Sequence, residues 1–455
     1  MASHISAYGS ATLQYNGMQT ALMAQMAIGS TAVSESYMAR FTSVTPGSSS
    51  AQTLEGLWWA RDPGIDGFIA LSNTAVQARS VTLQALTAAG QVQPAQSFTL
   101  PPHTSQLIDL ISLLGRQPNA GDAGGLRIQF TGLLGEVNVT GGLENRQEGY
   151  SAMIPFWQAP MAGMSTSSTP ATIAHPGIMV GAADPMMGFP AGTRFTPYLA
   201  LRNLTANAEQ VNVTLYTEQG TALSTPVQSL QPFESRQVDV NSVLKQVGLN
   251  GFNGSLTLTV SHSGGVSDVM SAAGSVDAKG TYVFEVDGRA AEQRLSKQSP
   301  YWSVKSGNGT MISLWNPSGN PEDVMVTLKY TGGSGVYHFH VHLAPYATAN
   351  VDVKELIANQ SADAVGNVLP LSVQEGSFVF QSAMGVNAPL SLNVNVGIFN
   401  AVKGTCYYGT VECDGYYSYL LVEPSTFSLP VGGGPEELTA YGQYSDGTTP
   451  EVTAS

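Results

Sequence analysis

Positive charge is scarce in this sequence. Lysine and arginine together number 18 in 455 residues, against 32 aspartates and glutamates, for a net charge of −14. Binding to nucleic acid or to an anionic membrane needs clustered cations, so neither is an expected partner. Long apolar runs are missing too. No segment approaches the ~20 residues that span a bilayer, and no membrane span is expected in this chain. The opening MASHISAYGSATLQ lacks both a cationic start and an apolar core, and the first basic residue is Arg40. No signal peptide is expected there.

Cysteine is confined to Cys406 and Cys413, in TCYYGTVECDG. A pair this close, with Gly409 between, suits a hairpin disulfide and an oxidising compartment. Free thiols remain an alternative, and a metal site would need two further soft ligands that are not evident nearby. Catalytic signatures are also lacking. There is no Gly-x-Ser-x-Gly elbow, no His-Glu-x-x-His, no Gly-Lys-Ser/Thr phosphate loop and no Cys-x-x-Cys. The paired acids Glu322-Asp323 and Glu436-Glu437 flank prolines and read as solvated charge, and Asp62 to Asp66 lacks the spaced oxygens of a Ca²⁺ loop. A non-enzymatic chain without cofactors is expected.

What the chain does have is apolar content of 43%, enough for a folded protein, with 49 glycines and 25 prolines as punctuation. Its length corresponds to about three domains. The dominant signal is self-similarity. FIALSN ends at Asn73, YLALRN at Asn203 and MISLWN at Asn316. Each leads into a run of alternating apolar residues: SVTLQAL, QVNVTLYT and VMVTLKY. A second signature follows as LPPHTSQLIDL, LQPFESRQVDV and LAPYATANVDV, and the interval from Asn73 to Asp109, Asn203 to Asp239 and Asn316 to Asp352 is 36 residues each time. A glycine-led strand then recurs at Gly125, Gly254 and Gly376.

Short β-runs between Gly, Pro, Asn and Ser predict an all-β fold of tandem antiparallel Ig-like sandwiches. In the second repeat Val211, Val213 and Leu215 are expected on the core face, with Asn212, Thr214 and Tyr216 opposite. Brief helical patterns follow Asp109, Asp239 and Asp352, which are expected to cap them. A repeated Ca²⁺ ligand would need more carboxylates than surround them.

The interval from Gly9 to Tyr37 matches that from Gly254 to Tyr282, 28 residues in both. Residues 1–41 are therefore expected to be the C-terminal half of a repeat, its missing start being the place for an export signal. Complete repeats are expected at 42–157, 188–289 and 290–419. Residues 158–187, rich in Ala, Pro, Ser and Met, are expected to form a linker or an extended arm.

The end of the chain, 420–455, resembles the opening strands of bacterial Ig-like group 2 domains. The resemblance rests on Val422 and Pro424, Leu429 to Gly432, Leu438 to Ala440, the turn Tyr444-Ser-Asp-Gly447, and Val452-Thr453. The larger repeats, with TYVFEV, YWSVKSGNGTMISLWNP and TCYYGTVECDG, resemble secreted modular proteins known from acidobacterial genomes. That resemblance implies an exported array of sandwiches, and no particular activity carries over from it.

The stretch GVYHFHVHL puts Tyr337, Phe339, Val341 and Leu343 on one strand face and His338, His340 and His342 on the other. The other repeats have no histidine there, so a solvated face is expected. Weak metal binding is the alternative, made harder by Lys329 on the expected neighbouring strand. Trp59, Phe189 and Trp302 each stand 14 residues before a repeated asparagine and are expected as core anchors. Trp58 is the surface candidate for stacking on a sugar, and Tyr407, Tyr408, Tyr416, Tyr417 and Tyr419 a possible sticky patch. These features suggest an extracellular or cell-surface protein with a structural, spacer or adhesive role. Its expected partners are an extracellular polysaccharide or surface protein, or copies of itself joined by edge strands. The alternatives are a carbohydrate-binding region of a larger secreted enzyme and a weak metal-binding surface protein.

Overall fold

The structure, a computed structural model, describes residues 49–145, 150–159, 171–183, 189–265, 267–277, 283–286, 288–290, 293–294, 296–330, 335–363, 366–385 and 388–400. Of the remainder it describes residues 9–11 and the backbone of six short strands. Among the described residues the protein is nearly all antiparallel sheet, with 59% strand and 7% helix. Two of those strands, β1 (Gln25–Gly29) and β2 (Ser36–Arg40), form a hairpin with Gln25 opposite Arg40.

The first sandwich comprises β3 (Ser50–Trp59), β4 (Asp66–Asn73), β5 (Arg79–Leu86), β6 (Gln96–Leu100), β7 (Ser105–Asp109), α1 (Leu110–Leu114), β8 (Ala123–Gly132), β9 (Val137–Asn145), β10 (Tyr150–Ile154) and β11 (Phe156–Gln158). Its two sheets run β11-β3-β8-β5-β6 and β10-β9-β4-β7. The second comprises β12 (Ala171–Ala182), β13 (Arg194–Asn203), β14 (Glu209–Thr217), β15 (Ala222–Ser224), β16 (Gln228–Leu230), β17 (Ser235–Val238), α2 (Val240–Gln246), β18 (Gly254–His262), β19 (Val269–Asp277), β20 (Val283–Val286) and β21 (Arg289–Ala290). Here β14-β18-β12 and β13-β19-β20 pack over a shared core and are joined into one sheet where β12 pairs with β13 at Gly181 and Ala182, with β15 and β16 on β14, β17 on β13 and β21 on β12.

The third comprises β22 (Gln293–Arg294), β23 (Ser296–Ser303), β24 (Asn308–Trp315), β25 (Glu322–Tyr330), β26 (Val336–Leu343), β27 (Thr348–Asp352), α3 (Val353–Asn359), β28 (Glu375–Ser382), β29 (Leu390–Ser391), β30 (Asn393–Asn400) and β31 (Thr405–Gly409). Its sheets run β23-β28-β25-β26 and β27-β24-β30-β31, while β22 pairs with β29. A separate three-stranded sheet joins β32 (Leu420–Glu423), β33 (Thr439–Gly442) and β34 (Glu451–Val452).

One strand order thus occurs three times. The strand that ends in or just before the repeated asparagine (β4, β13, β24) lies between the strand after the proline turn (β7, β17, β27) and β9, β19 or β30. The next strand (β5, β14, β25) crosses to the facing sheet. Alternation fills the space between the sheets: Val211, Val213 and Leu215 are at most 1% exposed, whereas Asn212 and Tyr216 are half-buried.

The three asparagines have the same surroundings. Each is fully buried. Asn73 Nδ2 donates to the carbonyls of Gln77 (2.8 Å), Leu100 (3.0 Å) and Pro101 (3.0 Å). Asn203 Nδ2 donates to Asn207 (2.6 Å), Leu230 (3.3 Å) and Gln231 (3.0 Å), and Asn316 Nδ2 to Asn320 (2.7 Å), Leu343 (3.4 Å) and Ala344 (3.1 Å). The Oδ1 atoms accept from the backbone N–H of Ala75, Thr205 and Ser318 at 3.0, 2.9 and 2.8 Å. One amide therefore saturates a loop and the end of a strand that no ladder reaches.

The aspartates cap as expected. Asp109, Asp239 and Asp352 accept the N–H of Ser112 (2.8 Å), Ser242 (3.2 Å) and Lys354 (2.8 Å) at the starts of α1, α2 and α3. The hydroxyl of Ser242 also donates to Asp239, and this bond holds its carboxyl below the usual range.

Two expectations need correction. Within 158–187, expected as a linker or an extended arm, residues 171–182 form β12, paired with β18 between Ala171 and Val180 and with β13 at Gly181 and Ala182, so this part is an extended strand and not a mobile linker. A register shift between His175 and Ile178, with φ +87° at Gly177, breaks the alternation that would have marked the strand. Trp58 is 2% exposed and is not a surface residue. Gly124, paired with it across β3 and β8, leaves the room its indole fills.

His262 ends β18 between Ala171 of β12 and Val211 of β14. It is 2% exposed, and neither ring nitrogen has a hydrogen-bond partner among the described residues. Burial pushes its pKa down to about 4, against a weaker upward pull from Asp268.

Replacing Asn203 by Ala is expected to lower unfolding free energy by about 3 kcal/mol, since three buried carbonyls lose their donor. Asn207→Ala, whose side chain is exposed, should change it by less than about 0.5 kcal/mol. Urea titration of both variants checks this. His262 gives a pH signature. An unfolded histidine titrates near 6.5, so between about pH 6.5 and 4 the unfolded chain binds the extra proton and stability falls with pH. The loss attributable to His262 should reach about 3 kcal/mol across that window at 1.36 kcal/mol per unit. It is measured as the difference in slope between the wild type and His262→Gln.

Candidate functional sites at the repeat junctions

Each proline signature ends in a turn with a non-glycine residue at left-handed φ: His103 at 54°, Phe233 at 57° and Tyr346 at 59°. Such a conformation costs roughly 1–2 kcal/mol. In the second and third sandwiches the turn is closed by Glu234 N–H to Gln231 O and Ala347 N–H to Ala344 O, both 3.0 Å. The preceding sandwich meets the chain here. Ser235 N–H, at the start of β17, donates to Ala88 O in the turn after β5 (2.8 Å). Thr348 N–H, at the start of β27, donates to Glu218 O in the turn after β14 (3.0 Å). Both hairpins carry a left-handed glycine, Gly90 at φ +78° and Gly220 at +83°. A Cβ on either would strike the carbonyl oxygen of Pro232 or Pro345.

The same backbone clasp thus joins the first sandwich to the second and the second to the third. The side chains around it differ. At the first junction the buried Arg202 guanidinium pairs with Glu55 Oε2 and donates to the carbonyls of Gly56 and, at 3.0 Å, Leu126. Glu55 Oε1 receives Arg127 Nε at 2.6 Å. Burial pulls the Arg202 pKa down, and Glu55 pulls it back. Trp59 stacks on Tyr198 of the next sandwich with ring centroids 4.3 Å apart, and Gln237 donates to Ala60 O and Asp122 O at 2.8 and 2.7 Å.

At the second junction the residue before the asparagine is Trp315, buried against Tyr216 (5.5 Å), with its indole N–H on Tyr346 O at 2.9 Å. Phe189, expected as an anchor, sits with Phe195, Phe284 and Phe399 in a cluster spanning this junction. Trp302 is buried within the third sandwich beside Phe378.

Beside that cluster is a cavity of about 520 Å³ between the second and third sandwiches. Its apolar lining includes Met179, Phe284 and Met311. Its polar lining is Glu218, Asn253, Ser255, Ser313, Asn350 and Asn395. Glu218 Oε1 accepts Ser255 N–H at 3.1 Å and Asn350 Nδ2 at 3.5 Å, and Ser313 Oγ donates to Asn350 Oδ1 at 2.7 Å.

The histidines lie on β26, an edge strand in register with β25. His338 faces Thr327 (3.0 Å between Nδ1 and Oγ1), His340 faces Met325, and His342 faces Asp323 (Nδ1 to Oδ1, 2.7 Å). No group of three or more His, Cys, Asp or Glu residues suited to a metal ion occurs among the described residues. Burial lowers the Lys329 pKa on the adjacent strand. Cys406 lies on β31, but its side chain and Cys413 are outside the described residues, so the disulfide expectation falls outside them as well. The same holds for the tyrosine cluster and Glu436-Glu437. Among the described residues no helix is long and apolar enough to cross a membrane.

No family model, curated protein or solved structure matches this chain. Sequence reasoning missed the clasp, although a signal was available. Gly90, Gly220 and Gly333 each stand 17 residues after a repeated asparagine. The Arg202–Glu55 pair had no such mark, being 147 residues apart in the chain.

Replacing Arg202 by Met leaves the Glu55 carboxylate buried with one partner fewer. It is expected to cost about 3 kcal/mol. The double change Glu55→Gln with Arg202→Met should cost less, because both members of the fully buried pair lose their charge together and the remaining cation, Arg127, keeps part of its side chain in water. Chemical denaturation of both variants gives the comparison.

Proposed function

We propose that this chain is a non-enzymatic structural spacer of an extracellular or cell-surface protein, holding sandwich domains in fixed succession between a surface and a binding partner. The observation that carries this reading is the backbone clasp. A reused hydrogen bond, from Ser235 to Ala88 and from Thr348 to Glu218, limits rotation between neighbours at both junctions. Export is supported by the acidic balance and by the resemblance of 420–455 to a bacterial Ig-like group 2 domain. Partners consistent with the reading are an extracellular polysaccharide or surface protein, and further copies joined at edge strands such as β26. Trp58, the residue expected to stack on a sugar, is buried, which weighs against a sugar platform at that position.

Small-angle scattering tests the spacer. The wild type should give one sharply defined distance distribution. Gly90→Val and Gly220→Val should broaden it while the sandwiches still melt cooperatively. A wild-type profile of freely jointed domains, indistinguishable from the variants, would reject the proposal.

A further inference from the structure

We infer that the cavity between the second and third sandwiches is a binding site for a neutral sugar unit. Two of its lining groups are buried and unsatisfied. Ser255 and Asn395 are 6% and 5% exposed, and neither Ser255 Oγ nor Asn395 Oδ1 has a hydrogen-bond partner among the described residues. Orphaned polar atoms this deep are uncommon in a folded protein and point to a missing partner.

The lining selects the partner's chemistry. Asn395 Oδ1 accepts only, and Glu218, bonded through Oε1, keeps Oε2 as a further acceptor. Ser255 Oγ can donate or accept. A ligand rich in O–H donors matches this set. No lysine or arginine lines the cavity, so nothing neutralises a phosphate, sulfate or uronate, and Glu218 repels one. A lone carboxylate is too few ligands for a hard cation. Phe284, Met179 and Met311 add apolar surface to the lining, suited to the C–H face of a pyranose. The volume of about 520 Å³ is in the range of small-molecule sites.

Gly177 keeps the lining close. With φ +87° it places β12 against Ser313 of the third sandwich, where a Cβ would collide with that side chain. The site is therefore built from two sandwiches and depends on their junction. It rests on the same fixed junction as the spacer reading, but the two fail separately: sugar binding can be absent while the scattering profile stays sharply defined.

The test uses the whole chain and a panel of neutral mono- and disaccharides at millimolar concentration, with saturation-transfer NMR and thermal shift as readouts. At least one neutral sugar should show transfer and raise the melting temperature. Ser255→Ala should weaken that sugar about fivefold, the value of one hydrogen bond. The same variant should leave the melting temperature of the free protein unchanged or higher, because the hydroxyl it removes has no partner among the described residues. A purely structural serine would lower it. Glu218→Gln should also weaken binding. Three results would overturn the inference: no transfer from any neutral sugar, equal binding by the variants, or preference for a simple alkylammonium ion over all sugars.

Discussion

A single buried carboxamide organises each sandwich. Asn73 and Asn203 end a strand and Asn316 directly follows one, and their two amide hydrogens are shared among three carbonyls from a loop and a distant strand end. Without that amide the backbone entering the proline turn would be buried with nothing to bond, a state proteins avoid. Fixing the turn fixes the left-handed residue after the proline, and with it the direction of β7, β17 or β27. The next consequence is intermolecular in character although it occurs within one chain. A correctly aimed strand start presents an N–H to the hairpin of the neighbouring sandwich.

The junctions therefore share a backbone geometry and differ in side-chain chemistry. The hydrophobic core of the first sandwich continues across its junction, with Tyr198, Ala200 and Met270 of the second packed against it. Arg202 is placed at that boundary with its charge desolvated. Such a pair is weak evidence for stability in itself, since desolvation offsets most of the attraction. Its effect is directional: the guanidinium must meet Glu55 and two carbonyls at once. At the equivalent place Trp315 needs only an apolar surface and one carbonyl.

The sequence carried the fold where periodicity and spacing are local. The interval between asparagine and aspartate, the alternation in 211–215 and the capping aspartates could all be read without coordinates. The register of His338, His340 and His342 against Thr327, Met325 and Asp323 agrees with the strand alternation seen in the sequence. Reading failed where one residue breaks a pattern or where partners are far apart. Pro176 and Gly177 disguised β12 as a linker because a bulge shifts the phase of the pleat. Trp58 looked exposed because the space it occupies belongs to Gly124, 66 residues further along. The cavity was invisible for the same reason: Ser255 and Asn395 are unremarkable strand residues until two sandwiches meet.

The exchange of arginine for tryptophan at matching places bears on how such a chain avoids folding wrongly. Tandem domains with near-identical edges are prone to trade elements with their neighbours while folding. Here a mispaired second domain would bury a guanidinium without its carboxylate, and a mispaired third would press an indole against Arg127 and Glu55. Divergence at the junctions thus penalises mismatched neighbours, so that modules with a common architecture are not interchangeable along the chain.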